Sequence, residues 1–323
     1  MLKNIEIIDY KCFKDFKLNG LSQINIISGK NNVGKTALLE VLFIQNGTPL
    51  NTLNVIAKNR NIKKEYYRKY LENVKYSFID DDDLKHAFEV KNKKDLSKNE
   101  IEEKNKLNSD YDKFICGYYD DALALEPLEN INMIDDDNKY KYINSSKPSN
   151  EKLVKLYSKI QTLGLQHKFL TYLQLLDNNI KWIEPQLIND ELVLRVNLAN
   201  PEISLITSEL GEGVNRYIEI LATLLSNSGG SVFIDEIENG LHYSKLLDIS
   251  KAIIEIADKE DIQVFITTHD KETIEAFAKA SKEVGFKDIS SIELYKNEEN
   301  IIHPIVMNYE NIIYGIEMGE DFR

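Results

Sequence analysis

Eight consecutive residues of this sequence have the types and spacing of a phosphate-binding loop. They read Gly29-Lys30-Asn31-Asn32-Val33-Gly34-Lys35-Thr36 and fit the pattern G-x-x-x-x-G-K-[ST]. Such a loop turns its backbone N–H groups inward, and a following helix, here continuing through Ala37, adds its positive dipole end. Lys35 is predicted to reach the β- and γ-phosphates of a nucleotide, and the Thr36 hydroxyl to bind Mg²⁺. The alternative is a chance match, which the apolar run before the loop disfavours.

A second segment, an apolar run that ends in two acids, predicts a metal-binding and catalytic pair. Ser231-Val232-Phe233-Ile234-Asp235-Glu236 has the character of a buried parallel strand whose C-terminal end carries function. Asp235 is predicted to hold Mg²⁺, directly or through water. Glu236 is predicted to accept a proton from, or to orient, the water that attacks the γ-phosphate. The alternative is a strand that merely ends in a solvated acid pair.

A third segment is an apolar strand that ends in polar residues and a histidine, Gln263-Val264-Phe265-Ile266-Thr267-Thr268-His269-Asp270. It is predicted to lie beside the strand that carries Asp235. His269 would then reach the γ-phosphate and donate a hydrogen bond to it. The alternative is a histidine with a structural role only.

A fourth segment places two glycines at the start of a helix. Leu210-Gly211-Glu212-Gly213-Val214-Asn215-Arg216 precedes a strongly periodic apolar stretch. Backbone N–H groups exposed at Gly211 and Gly213 predict an anion site. The alternative is a turn that opens a packing helix.

The elements that must position these segments can be read from the apolar pattern. Residues 2–28 predict three short strands, of which the third leads into the phosphate-binding loop. The helix that begins at Lys35 is predicted to end near Gly47-Thr48-Pro49. Residues 150–185 predict helices, 183–196 strands, and 292–307 a hairpin that turns at 297–300, with a short terminal helix after it.

Composition limits the classes of function. The 323 residues carry a net charge of −13, which gives no support for wholesale nucleic-acid binding. The two cysteines, Cys12 and Cys116, form neither a disulfide framework nor a metal set, as expected in a reducing cytosol. No stretch approaches the roughly 20 apolar residues of a membrane helix. A soluble, cytoplasmic protein without a membrane partner is expected.

The region between the first helix and the later motifs has a different character. Mixed charge is dense from about residue 50 to 147, and acidic runs such as Asp80-Asp81-Asp82-Asp83 are predicted to be solvated loops and not metal sites. The predicted division is a core formed by residues 1–48 and 200–323, with residues 49–199 as an inserted lobe of helices and strands.

Taken together, the four segments resemble the ABC-type ATPases, in the soluble branch that contains the OLD, RecF and SMC proteins. The residues that carry the resemblance are GKNNVGKT (Walker A), LGEG (signature), VFIDE (Walker B) and ITTHD (switch histidine). Residues 238–242 stand where that branch has its D-loop, and DEIENGLH is especially similar to small bacterial OLD-type AAA ATPases, which suggests anti-phage defence. The resemblance implies an α/β P-loop NTPase fold, an ABC-ATPase head with a mixed central sheet and an inserted α-rich lobe.

The resemblance also implies ATP and Mg²⁺ as ligands, and a head-to-head homodimer with two ATP molecules at its interface. Gly211 and Gly213 of one copy would face the γ-phosphate held by Lys35 of the other. Two features depart from the family pattern: Gly211 replaces a common serine, for which Ser208 is a candidate substitute, and no Q-loop glutamine is assignable. Lys11 is similar in position to a basic residue that approaches the nucleotide in that branch.

Four functions remain open at this point. The first is an ATPase switch in defence that acts with a separate effector protein, because the roughly 50 residues after His269 lack the acidic pattern of a Toprim nuclease. The second is a RecF-like DNA clamp, for which Lys63, Lys64, Arg68 and Lys69 offer a basic stripe, although a solvated helix face is the favoured interpretation of these residues. The third is a nucleotide-gated scaffold with little turnover, and the fourth, a transporter ATPase, is disfavoured by the long lobe.

Overall fold

A computed structural model of the 323-residue chain describes residues 1–46, 49–63, 66–72, 75–79, 85–92, 96–99, 113–119, 122–127, 139–199, 204–207 and 209–318. The acidic run at 80–83, Lys64 and Ser208 lie outside the described residues, as do the side-chain contacts of Arg68. The chain forms two compact units. Unit 1 comprises residues 1–21, 32–138 and 294–304, and unit 2 comprises residues 22–31, 139–293 and 305–323.

Unit 1 is built on an antiparallel sheet. Its strands and helices are β1 (Asn4–Tyr10), β2 (Phe13–Asn19), α1 (Lys35–Asn46), α2 (Pro49–Asn59), α3 (Tyr67–Leu71), β4 (Tyr76–Ile79), β5 (Lys85–Asn92), β6 (Lys113–Tyr119) and β7 (Ala122–Pro127). The strand order is β2-β1-β4-β5-β6-β7, and every neighbouring pair is antiparallel. The first helix ends where the sequence predicts, but Pro49 also starts α2, because the first helical position needs no N–H donor.

Unit 2 contains the remaining elements. They are β3 (Ile24–Gly29), β8 (Tyr140–Ile143), α4 (Asn150–Thr162), α5 (Gln166–Leu173), β9 (Ile180–Ile188), β10 (Glu191–Leu198), β11 (Ser204–Ile206), α6 (Glu212–Leu225), β12 (Ser231–Ile234), α7 (Tyr243–Lys259), β13 (Gln263–Thr267), α8 (Lys271–Val284), β14 (Ile289–Lys296), β15 (Ile302–Asn308) and α9 (Tyr309–Met318). The last residues of β14 and the first of β15 are grouped with unit 1. The predicted strands, helix pair, hairpin and terminal helix are therefore present, with β9 starting before the predicted boundary.

The central sheet of unit 2 has the order β15-β14-β3-β13-β12-β8. Strands β3, β13, β12 and β8 are parallel to one another. All residues of β12 and β13 are buried, which explains their continuous apolar runs, since helices cover both faces of a parallel sheet. The prediction that the histidine-bearing strand lies beside the Asp235 strand is confirmed. A smaller antiparallel sheet, β11-β10-β9, completes the unit.

Helix α6 is enclosed by the unit 2 core. Every residue from Asn215 to Leu225 is buried, as expected for a helix that packs on all sides. Helix α4 instead buries one stripe, formed by Leu153, Val154, Tyr157 and Ile160. Ser149 is its N-cap, and the Ser149 Oγ accepts the N–H of Lys152 at 3.2 Å. Strand β8 lies within residues 49–199 but belongs to the central sheet. The predicted core (residues 1–48 and 200–323) and lobe (residues 49–199) have different boundaries from the two units. That predicted division stays a prediction.

Among the described helices, none combines the length and the apolar character that crossing a lipid bilayer requires.

A buried carboxylate organises the N-terminal part of unit 1. Glu40 of α1 has a side chain that is only 4% exposed, and it accepts hydrogen bonds from the Tyr10 hydroxyl at 2.9 Å and from Nη2 of Arg60 at 2.6 Å. The ammonium group of Lys11 is also paired with it. Glu40 thus ties the end of β1 and the residue that follows α2 to the helix after the phosphate-binding loop. An approach of Lys11 to a nucleotide stays a prediction.

Replacing this carboxylate should weaken unit 1. We expect Glu40→Gln to lower the free energy of unfolding by about 1–3 kcal/mol, because hydrogen bonds to a charged, buried group are lost. The measurement is denaturant unfolding monitored by circular dichroism. Glu6→Gln is the matched control, since Glu6 forms an exposed pair with Lys17 at 2.9 Å and such pairs contribute about 0–1 kcal/mol. Equal effects of the two variants would contradict the role assigned to Glu40.

Candidate functional site

The predicted phosphate-binding loop has left-handed backbone angles at three positions. The φ angles are 132° at Gly29, 61° at Asn32 and 107° at Gly34, in a region that glycine adopts without strain and asparagine tolerates. Residues in this conformation let successive N–H groups converge on a bound phosphate. Gly34 has a second constraint, because an added Cβ would lie 2.8 Å from Sγ of Cys12. These positions therefore have the backbone conformations that the predicted loop needs, and phosphate binding stays a prediction.

The loop is continuous in sequence but divided between the two units. Residues 29–31 belong to unit 2, and residues 32–37 belong to unit 1. In unit 1, Val33 is buried, Lys35 and Ala37 are half-buried and Thr36 is exposed at the start of α1. The position at a helix N-terminus suits phosphate binding. The phosphate role of Lys35 and the Mg²⁺ role of Thr36 stay predictions.

In unit 2 the start of the loop borders a pocket of about 240 Å³. The pocket is formed where β3 and β13 end and α8 begins. Its lining residues are Ser28, Gly29, Lys30, Asn31, His269, Asp270, Lys271 and Ile274. The structure thus places the predicted histidine beside the predicted phosphate-binding residues of this unit.

Thr267 connects the two predicted acids. Its hydroxyl donates a hydrogen bond to Oδ1 of Asp235 at 2.7 Å and accepts the backbone N–H of Glu236 at 2.8 Å. Thr267 is fully buried and Asp235 nearly so. One hydroxyl therefore orients the side chain of the first acid and the backbone of the second. A carboxylate held in this way is an oxygen donor of the kind that Mg²⁺ prefers, and the Mg²⁺ role of Asp235 stays a prediction.

Glu236 adopts a strained backbone conformation. Its φ angle is 49°, in the left-handed region that costs a residue with a side chain about 1–2 kcal/mol. Its Oε2 accepts a hydrogen bond from Nδ2 of Asn239 at 2.8 Å. Strain that the surrounding structure maintains is common at functional positions. The geometry is therefore consistent with the predicted catalytic role of Glu236, which stays a prediction.

His269 is held by a buried glutamate. Nδ1 of His269 lies 2.8 Å from Oε1 of Glu238, and the backbone N–H of His269 donates to the same oxygen at 2.9 Å. Burial raises the pKa of Glu238, and the hydrogen bond from the His269 backbone acts in the opposite direction. The pair is an imidazole whose orientation a carboxylate fixes.

Arg216 links helix α6 to the end of β12. Its guanidinium donates to the backbone carbonyl of Asp235 at 2.7 Å and to that of Asn144. Nη1 of Arg216 also lies 3.4 Å from Oε2 of Glu219, whose other oxygen is 2.6 Å from Nζ of Lys152. Burial lowers the pKa of Arg216, and the charges of Glu219 and Asp235 oppose that shift. The buried cation is thus neutralised by a buried acid and fixes the backbone next to the predicted metal ligand.

The two predicted signature glycines have different surroundings. Gly211 is the N-cap of α6, and, its two chain neighbours aside, no atom of the described residues lies within 4 Å of where its Cβ would be. Gly213 packs against the same unit, because an added Cβ would lie 2.2 Å from the carbonyl oxygen of Gly240. The first turn of α6 leaves N–H groups without partners inside the helix, as an anion site requires. Whether either glycine meets a nucleotide stays a prediction.

Four residues without a predicted role in the site belong to the network around it: Arg216, Glu238, Asn239 and Thr267. Arg216 and Thr267 lie inside the predicted segments, and Glu238 and Asn239 lie in the stretch that resembles a D-loop, so proximity in sequence was a signal. The hydrogen-bond partners of these residues come from neighbouring helices and strands, and no local sequence pattern predicts which residues those are. In unit 2, the structure brings together Asp235, Glu236 and Thr267, and separately His269 with Glu238 and the pocket.

Comparison with protein families identifies one model that covers most of the chain. A model described as "AAA domain, putative AbiEii toxin, Type IV TA system" matches residues 24–275. Among characterised and curated proteins, an ATP/GTP phosphatase of Helicobacter pylori is 25% identical over 370 aligned residues and covers 99% of both chains. An uncharacterized protein of Methanocaldococcus jannaschii is 45% identical over 44 residues, 14% of this chain and 20% of its own.

Solved structures establish the fold. The SMC head bound to the C-winged helix domain of ScpA has a TM-score of 0.56 at 14% identity and covers 96% of this chain and 98% of its own. An SMC head with an extended coiled coil, bound to the C-terminal domain of ScpA derived from Pyrococcus furiosus, has a TM-score of 0.50 at 12% identity and covers 98% of both chains. The predicted fold class, an α/β P-loop NTPase of the ABC-ATPase head type with a mixed central sheet, is confirmed.

The link that Thr267 makes between the two acids can be tested through stability. We expect Thr267→Val to lower the free energy of unfolding by about 1–3 kcal/mol, because the buried carboxylate of Asp235 loses a donor and the half-buried N–H of Glu236 loses its acceptor. Denaturant unfolding measures the change. Thr171→Val is the control, since the Thr171 hydroxyl is exposed and bonds only within its own helix, to the carbonyl of His167 at 3.0 Å. A cost for Thr267→Val no larger than that of the control would show that the link is not needed.

Proposed function

We propose that this chain, which belongs to the family described as "AAA domain, putative AbiEii toxin, Type IV TA system", hydrolyses ATP to ADP and phosphate with Mg²⁺. The family match and the fold support an ATPase of the AAA and SMC-head type. The name of the H. pylori relative, ATP/GTP phosphatase, supports turnover of a nucleoside triphosphate. The roles of individual residues, the dimer and the biological process, which follow below, are proposed on the same evidence.

One observation carries the proposal: the parallel strands β3, β13 and β12 all end at the same edge of the unit 2 sheet. At that edge the first residues of the phosphate-binding loop share a pocket with His269, and Thr267 joins Asp235 to Glu236. Ligands of open α/β sheets bind outside the carboxyl ends of the strands. This arrangement supports the proposal that the edge combines a phosphate-binding backbone, a carboxylate for Mg²⁺ and a catalytic base.

Each residue of the proposed site has its own role in the proposed reaction. Gly29 to Ala37 bind the phosphates, and Lys35 neutralises charge on the transferring group. Glu236 orients the attacking water or accepts its proton as the water oxygen bonds to the γ-phosphorus. The bond from that phosphorus to the β,γ-bridging oxygen breaks, and ADP leaves. His269 donates a hydrogen bond to the γ-phosphate, which stabilises the charge that accumulates there.

Asp235 and Thr36 are the proposed Mg²⁺ ligands. When bound, Mg²⁺ supplies charge neutralisation for the β- and γ-phosphates. The contribution of the chain is to hold the carboxylate of Asp235 through the Thr267 hydroxyl and its backbone through Arg216.

The proposed assembly is a homodimer that ATP closes. The phosphates of one copy would receive further N–H donors from the α6 N-terminus of the other, so that ATP clamps the dimer and hydrolysis releases it. The open surroundings of Gly211 leave room for such a ligand. Gly213 contributes close packing against Gly240 within its own copy.

The proposed biological role is an ATP-gated switch in cytoplasmic anti-phage defence, with the damaging activity in a separate effector protein. The family description names a toxin–antitoxin system, which supports a function with a second component. The SMC heads of similar fold are described in complexes with a domain of ScpA, so heads of this fold can carry a partner protein. The resemblance to small OLD-type ATPases supports the same role.

Glu236→Gln tests the assignment of the base. The amide keeps the shape of the side chain but cannot accept the proton, so we expect ATP binding to persist and the hydrolysis rate to fall about 10²-fold or more. ATP-bound dimer should accumulate. Phosphate release measures turnover, and light scattering on a sizing column with ATP measures the dimer.

Two further variants serve as controls for the Glu236→Gln result. Lys35→Ala should lose ATP binding itself. Glu283→Gln should behave as the unaltered protein does, because Glu283 is an exposed residue of α8 that pairs with Lys251 of α7. Hydrolysis by Glu236→Gln at the unaltered rate would show that Glu236 is not the base. ATP turnover that survives Lys35→Ala would overturn the proposed site as a whole.

Substitutions at the two glycines distinguish an effect on the proposed dimer from an effect on folding. Gly211→Asp should leave the fold intact, because aspartate is a favoured N-cap and the site is open, yet its charge should repel the phosphates of a second copy. We expect the ATP-dependent dimer to be lost without a lower melting temperature. Gly213→Ala should instead destabilise the monomer, since its Cβ would clash with Gly240. A Gly211→Asp protein that still dimerises with ATP would contradict the proposed interface.

A further inference from the structure

Glu238 is a buried carboxylate in direct contact with the histidine of the proposed site. Its side chain is 7% exposed, while that of His269 is 43% exposed. One carboxylate oxygen, Oε1, accepts the backbone N–H of His269 at 2.9 Å and lies 2.8 Å from its Nδ1. A single acceptor therefore fixes both the backbone and the ring of His269.

The contact follows from the backbone around it. The N–H of Glu236 donates to the Thr267 hydroxyl at 2.8 Å, and the N–H of Ile237 donates to the Thr267 carbonyl at 3.2 Å. These two bonds run the segment after β12 along the end of β13. They bring residue 238 beside residue 269, so hydrogen bonds of the neighbouring residues, and not the Glu238 side chain, set the position of Glu238.

This arrangement selects one form of the imidazole ring. A carboxylate can only accept, so a neutral ring that faces it carries its hydrogen on Nδ1. Nε2 is then the nitrogen that can meet a ligand of the pocket; it lies 3.8 Å from Oδ1 of Asp270, which lines the same pocket. The same use of a carboxylate to fix tautomer and ring orientation occurs behind catalytic and metal-binding histidines.

We infer that Glu238 is a positioning residue, which holds His269 in the Nδ1–H tautomer and directs Nε2 toward the γ-phosphate. The inference rests on the proposed function for the phosphate, but its claim about the ring concerns the protein alone. Glu238 touches no reacting atom in this account and acts only through His269.

The kinetic test uses two replacements of Glu238. Glu238→Met keeps the side-chain volume but offers no comparable acceptor, and we expect kcat to fall about 10–100-fold, as for other residues that orient a catalytic histidine. KM for ATP should change little, because the interaction acts on the transition state. Glu238→Gln offers an amide oxygen to the same two donors and should retain most of kcat. Glu283→Met is the control at an exposed position of α8.

A double replacement shows whether the two residues act as a unit. His269→Ala should lower kcat at least as much as Glu238→Met, and the combination should lower it no further. Independent effects that multiply would mean that Glu238 contributes by another route and would overturn the inference. A kcat for Glu238→Met equal to that of Glu283→Met would overturn it as well.

The tautomer itself can be read by long-range ¹H–¹⁵N spectroscopy of the five histidines, at a pH where the ring is neutral. The His269 signals, assigned by their loss in His269→Asn, should show Nδ1–H in the unaltered protein and shift toward Nε2–H in Glu238→Met. An unchanged tautomer would overturn the inference. If Glu238→Met does not fold, Glu238→Gln must still show Nδ1–H, and the opposite tautomer would refute the role. A protein without ATP turnover would defeat the proposed function, while these spectra would still decide the role of Glu238.

Discussion

The parallel register between β12 and β13 is the constraint on which the candidate site depends. The strands pair from Ser231 with Gln263 to Ile234 with Ile266, and the rings of Phe233 and Phe265 stack at 4.9 Å within this pairing. Because side chains alternate between sheet faces, a shift by one residue would send every buried side chain to the opposite face. The packed aromatic pair therefore helps to decide which residues meet where the strands end.

After the last paired residues of β12 and β13, hydrogen bonds that involve side chains, and not strand pairing, hold the two chain segments together. The Thr267 hydroxyl bonds Asp235 and the backbone of Glu236, and Glu238 bonds His269. Each of these groups is held by a partner from the neighbouring strand end, with the atoms already at hydrogen-bonding distance. Groups held in place in this way need little reorganisation when a charged ligand binds, which is the physical basis of electrostatic preorganisation.

The same region also contains features that a fold selected for stability alone would avoid. Glu236 has a left-handed backbone, and the guanidinium of Arg216 and the carboxylate of Glu219 are both buried. Gly213 and Gly240 approach so closely that neither tolerates a side chain without movement. Strain and buried charge in one place are typical of functional sites, and here they surround the strand ends and the start of α6. The large apolar core of unit 2 supplies the stability that these features need.

The sequence by itself determined the elements and the types of chemistry. The glycine spacing, the two apolar strands and the periodic helix after Gly211 are local patterns, and they suffice to predict a phosphate-binding loop and candidate acids. The resemblance of these patterns to a known family predicted the fold class. Only the tertiary structure decided which partners these residues have. Thr267 reaches Asp235 across 32 positions, and Arg216 reaches the Asn144 carbonyl across 72. No propensity or spacing encodes such contacts, because they arise from strand register and helix packing, in which distant parts of the chain meet.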